Sequence, residues 1–150
     1  MIKDTIEKIN LHKKRLKLAL EEIKEWEVLD SEIFENFEKI KTVDTFIYRF
    51  IKLQDIMGEK LFKLTLDEIG EYKDNMSLLD ILDKLEKLEL IKNANDWMMY
   101  RKLINQLTHE YPNNEDDVIE GIKIAIESYS EIEIILNNIE LYLKRRVNII

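Results

Sequence analysis

Apolar positions recur along this chain at steps of three and four, the spacing that lays a single apolar stripe along an α-helix. Ile2, Ile6, Ile9, Leu16, Leu20 and Ile23 trace such a stripe and predict a first helix from Ile2 to about Trp26, with Lys13 as its one gap. Asp30-Ser31 offers a cap for the next segment. From Ile33 to Leu66 there is no proline and only Gly58 among glycines, so the chain can stay helical over the whole run. A break or a kink is expected near Thr42-Val43-Asp44-Thr45, where β-branched residues and an aspartate lower helix propensity. Beyond it, Phe46, Ile47, Phe50, Leu53, Met57, Leu61 and Leu64 line one side of an expected core helix. Its aromatic residues read as packing rather than as a cofactor pocket. Arg49 and Asp55 are charges set close to that stripe, read as surface ions placed to lean towards a neighbouring helix.

The turn residues of Glu68 to Met76, with Gly70 and Asp74-Asn75, predict a loop. Ser77-Leu-Leu-Asp80 resembles a capping box and opens a short amphipathic helix to about Ile91, its stripe made by Leu78, Leu79, Leu82, Leu85 and Leu88. Asn93 to Asp96 turns the chain, and Asp96 is the expected cap of a helix from Trp97 to Tyr111, ended by Pro112. On it Trp97, Tyr100, Leu103, Ile104, Leu107 and Tyr111 share the apolar face, while Arg101, Asn105 and His109 follow one another at four-residue steps along a polar stripe. After an Asn113-Asn114 turn, Glu115-Asp116-Asp117 suit the positive end of a last helix. Val118, Ile122, Ala125, Tyr129, Ile132, Leu136, Ile139 and Leu143 alternate steps of four and three along it, a seam about 38 Å long at roughly 1.5 Å per residue. Ile119, Ile124, Ile126, Ile135 and Tyr142 widen that seam, so it calls for cover by several helices of its own chain or by a second subunit. The predicted architecture is all-α, an up-and-down bundle of four to five helices in a single domain over residues 1–150.

Composition agrees with helices and narrows the chemistry. With 3 glycines and 1 proline in 150 residues there is little material for hairpin turns. The absence of cysteine removes thiolate zinc sites, disulfides and cysteine nucleophiles, and fits a reducing cytoplasm. The charged, helical start lacks the apolar core of a secretory signal, and no stretch approaches about eighteen uninterrupted apolar residues, so a soluble protein without membrane partners is expected. A net charge of −8 argues against a broad surface for coating nucleic acid. Two local basic clusters, His12 to Lys17 and Lys144 to Arg146, read as solvated helix faces, and His12 as a surface residue.

No histidine or cysteine stands at ligand spacing from another, and the glycines form neither a Walker sequence nor a dinucleotide fingerprint, so metal and cofactor chemistry are set aside. What remains is His109 as an acid or base near neutral pH, Arg101 to hold an anion and Asn105 to orient a group by hydrogen bonding, a set suited to phosphodiester chemistry without metal. A lone histidine at a helix end is more often a capping or packing residue, and an acidic helical chain with a wide apolar last helix also suits a dimerisation or adaptor module.

The segment Arg101-Lys-Leu-Ile-Asn-Gln-Leu-Thr-His-Glu-Tyr-Pro112 resembles the signature of HEPN domains, in particular the HepT-like group that pairs with minimal nucleotidyltransferases, whose run reads approximately Arg-x-x-Arg-Asn-x-x-x-His-x-Tyr. Asp44 to Asp55 and Ser77 to Leu88 also resemble the flanking helices of these proteins, so the likeness spans most of residues 44–145. The resemblance implies a helical homodimer that brings two motifs together, and a metal-independent endoribonuclease acting as the toxin of a toxin–antitoxin pair. It implies that His109 is the general base or acid, that Asn105 positions the substrate, and that Tyr111 is the tyrosine that the nucleotidyltransferase antitoxin modifies with AMP. The pattern is broken at its inner arginine, where this chain has Ile104. Either Arg101 takes over charge stabilisation, or the chain is an impaired member kept for binding its partner or substrate.

Overall fold

The computed structural model describes residues 1–109 and 114–146, and among them every regular element is helical. The elements are α1 (Ile2–Lys24), a 3₁₀ turn (Ser31–Glu35), α2 (Phe37–Ile56), a π-helical turn (Met57–Leu61), α3 (Phe62–Glu68), α4 (Leu78–Lys87), α5 (Ala94–His109) and α6 (Glu115–Arg146). Because α2, the π turn and α3 follow without a gap, they form one long rod, and the molecule is a bundle of five rods.

The expected break at Thr42 to Thr45 does not occur. Both threonine hydroxyls donate back to the carbonyls four residues earlier, Thr42 to Glu38 at 3.2 Å and Thr45 to Lys41 at 2.9 Å, so their polar groups are absorbed by the helix. The rod starts later than Ile33, since Asp30 caps only the 3₁₀ turn and Asn36 caps α2, its side chain accepting from the Lys39 amide at 3.2 Å. Downstream, α3 ends where a loop was expected, with Gly70 at φ +73 supplying the left-handed turn. The Ser77–Asp80 capping box is present in both directions. Its helix closes at Lys87 rather than Ile91, because Glu89 takes φ +61 and ends the winding.

α1 runs antiparallel to the long rod: Met1 to Lys8 face Glu59 to Leu64, and Arg15 to Glu22 face Lys41 to Arg49. α6 closes the bundle, and its whole seam is buried, from Val118 (2% exposed) through Ile132 (0%) to Leu143 (0%). Cover therefore comes from helices of the same chain. Glu133 fixes the α1 side of this packing, receiving a hydrogen bond from the Tyr129 hydroxyl at 3.3 Å and a salt bridge from Lys17 at 3.4 Å. At the other side Asn138 donates to the Leu90 carbonyl at 3.3 Å. Among the described residues no helix is long and apolar enough to cross a membrane.

Candidate functional site

The site is built on α5, and the start of α5 fixes its register. Asn93, not Asp96, caps the helix: its side-chain oxygen accepts from the Asp96 amide at 2.8 Å and its amide nitrogen donates to the Asp96 carboxylate at 3.1 Å. The Ala94 amide donates to Glu86 at 2.8 Å, which ties the same turn to α4. The helix thus begins three residues before the expected Trp97. Trp97 is consequently inside the first turn, buried to 1% exposure, with the Phe62 ring edge-on at 4.7 Å and the Tyr100 ring at 6.2 Å.

From Trp97 the helical repeat carries Arg101 and Asn105 along one side, where both line a cavity of about 390 Å³ between α5 and the long rod. Facing them are Gln54 and Asp55 of α2, Gly58 and Glu59 of the π turn and Lys63 of α3, with Ile81 of α4 at the apolar end. Arg101 and Asn105 keep exposed side chains at the rim. Asp55 is half-buried, and burial, with Glu59 beside it, holds its carboxyl above the usual range against the opposing pull of Lys52 and Arg101. Asp55 thus borders the cavity it shares with residues of α5. Ile104, the residue at the inner arginine position, is 5% exposed and belongs to the same wall, so this chain uses that position for its core. Two of the three stripe residues are brought together at one cavity. His109 is the last residue of α5, while its side chain and Tyr111 lie outside the described residues. Among the described residues no group of three or more histidines or acids stands close enough to hold a metal ion.

A second polar cluster was not legible as such in the sequence. Arg49 Nη1 lies 2.9 Å from His12 Nδ1, so the guanidinium donates to an imidazole that is half-buried rather than on the open surface. Burial, followed by the charges of Arg49, Lys52 and Arg15, lowers the His12 pKa. The guanidinium of Arg49 and the ammonium of Lys52 also lie over the exposed ring of Tyr48, at 5.0 and 5.6 Å. The signal available from sequence was the pair of charges beside the α2 stripe and the basic run on α1; their meeting depends on the antiparallel register of two helices. The Lys52 charge acts on both His12 and Asp55.

Compared with models of protein families, with curated proteins and with solved structures, the chain has no match.

Proposed function

We propose that this chain is a HEPN-like, metal-independent endoribonuclease of the HepT-like kind, the toxin of a toxin–antitoxin pair in the cytoplasm. The observation that supports it most is that Arg101 and Asn105, two residues of the motif-like stripe, share the rim of one cavity on the helix that ends at His109. In this reading His109 takes the proton from a ribose 2′-hydroxyl. The 2′ oxygen bonds to the adjacent phosphorus as the bond to the 5′ oxygen breaks, and that oxygen takes a proton from solvent water and leaves as a 5′-hydroxyl, opposite a 2′,3′-cyclic phosphate. Arg101 stabilises charge on the phosphoryl oxygens and Asn105 holds the ribose or phosphate in line. A homodimer sets two such helices across a shared cleft, and the nucleotidyltransferase partner silences the protein by transferring AMP to Tyr111, whose added negative charge repels RNA phosphate.

The test is cleavage of RNA by the full chain in chelator-containing buffer. His109→Ala is expected to lower the rate by about a hundredfold or more, the usual worth of a general base. Equal cleavage by the two proteins overturns the reading. One observation favours a second reading, that of an impaired member that binds RNA or its partner without cutting: the inner arginine is replaced by Ile104, a core residue. Binding of RNA without cleavage by the natural sequence is the outcome that selects it.

A further inference from the structure

The cavity beside α5 contains a polar atom without a partner. Trp97 is 1% exposed, and its Nε1 is buried and has no hydrogen-bond partner. A buried indole N–H ordinarily finds an acceptor. This one looks towards Gly58, whose missing Cβ would stand 3.5 Å from Nε1, and both residues line the cavity. Gly58 is the second residue of the π turn, a winding that recurs at functional sites. A glycine at this point leaves the space before the indole N–H free of side chain.

The rest of the lining selects the chemistry. Asp55 and Glu59 oppose Lys63 and Arg101, two negative and two positive charges that cancel, so the interior suits neither a free phosphate nor a bare cation. Donors and acceptors are both present, while Ile81 and Ile104 form an apolar floor. At about 390 Å³ the volume matches a nucleoside-sized ligand. The fitting occupant is a neutral planar ring with acceptors along one edge and donors along another. Guanine has this pattern: O6 and N7 accept, and N1–H and the N2 amino group donate.

We propose that this cavity receives a single unstacked guanine base of RNA, with Trp97 Nε1 and the Lys63 ammonium donating to its O6 and N7 edge, the Asp55 and Glu59 carboxylates accepting from N1–H and the N2 amino group, and Arg101 at the rim left for the phosphate. This deepens the ribonuclease reading, and rests on it for the RNA, by naming the nucleotide that the site selects. With the base seated, its ribose and 3′ phosphate come to the rim at Asn105, so cutting follows a guanine. Bases of single-stranded RNA are free to be splayed out and read in this way.

Isothermal titration of the full-length His109→Ala chain with GMP, AMP and CMP tests the pocket apart from catalysis. GMP is expected to bind tighter than the other two on the order of tenfold, the worth of one good bidentate base contact. Trp97→Phe keeps the ring in the core and removes the N–H; Asp55→Asn keeps the size and removes the carboxylate. Each is expected to weaken GMP by about as much, with the helical circular dichroism retained. Equal affinities for the three nucleotides, no binding of GMP, or unchanged GMP binding in a folded Trp97→Phe or Asp55→Asn overturns the proposal. The two readings fail separately. GMP selectivity in a chain that cuts no RNA upholds the pocket and removes the nuclease, whereas cleavage without guanine preference and without GMP binding does the reverse.

Discussion

Single residues acquired partners that their own neighbourhood in sequence does not contain. Arg49 and Asp55 stood out as charges beside an apolar stripe, and both turn inward, but towards different helices: Arg49 meets His12 of α1, and Asp55 faces Arg101 across the cavity. Which partner each takes depends on how far α1 and α5 slide along the rod, a quantity absent from the periodicity of any one helix. For His12 burial, followed by the neighbouring positive charges, has a consequence in solution. Its folded pKa lies below the unfolded value of about 6.5, so the unfolded chain binds the proton more readily. The stability this confers is complete above about pH 6.5 and falls as pH drops through the folded pKa. Urea unfolding at pH 7.5 and 5.5 is therefore expected to show a lower midpoint at the acidic pH, and His12→Asn, which keeps an acceptor for Arg49 without titrating, to narrow the difference. An identical pH dependence in the variant contradicts this account of His12. Ile104 makes the complementary point. Its place in the apolar pattern was plain from sequence, and its burial explains why an arginine is not carried there.

At the scale of elements, the helices were legible wherever capping and hydrophobic spacing agreed, as in the Ser77–Asp80 box and the acidic start of α6. They were misjudged where a side chain had two local options. By propensity Thr42 and Thr45 are helix breakers, yet they bond within their helix, and Asp96 has the chemistry of the cap that Asn93 supplies. The π turn left no mark in the spacing, because one extra residue in a turn shifts the stripe by less than its width. The α5–α6 packing depends on a feature equally hard to read, the closeness of two backbones. A Cβ added at Gly121 would stand 2.9 Å from Leu107 Cδ2 and 3.6 Å from Leu103 Cδ1. Alanine is accommodated only if the Leu107 side chain swings away, whereas valine adds two methyl groups to the same gap. Gly121→Val is expected to destabilise the chain by about 1–3 kcal/mol, the cost of overpacking, in chemical denaturation. A midpoint equal to that of the natural sequence would show that α5 and α6 are less closely seated.

For the molecule as a whole, the seam of α6 decides what self-association can use. Its seam residues from Val118 to Leu143 are packed against α5 and the 3₁₀ turn, whereas of the residues that widen the seam Ile119 and Ile135 are buried, Ile126 and Tyr142 are half-buried and Ile124 stays exposed. A dimer of the kind proposed cannot use the buried seam and must form on exposed positions such as Ile124, Ile134 and Leu141 or on other helices. Ile132 (0% exposed) and Ile134 (50% exposed) separate the two roles, lying two residues apart on the same helix and facing opposite ways. Glutamate at 132 would place an unpaired charge in the centre of the bundle, and the cost of burying it exceeds what a marginally stable domain can absorb. Ile132→Glu is therefore expected to lose cooperative unfolding by circular dichroism, rather than to yield a folded monomer. Ile134→Glu changes only a solvent-facing position and is expected to keep its unfolding free energy within about 0.5 kcal/mol. Sedimentation velocity on that folded variant then reads association without the confounding loss of structure. A folded, monomeric Ile132→Glu protein would contradict the packing, since it would mean that the seam faces a partner instead of the core.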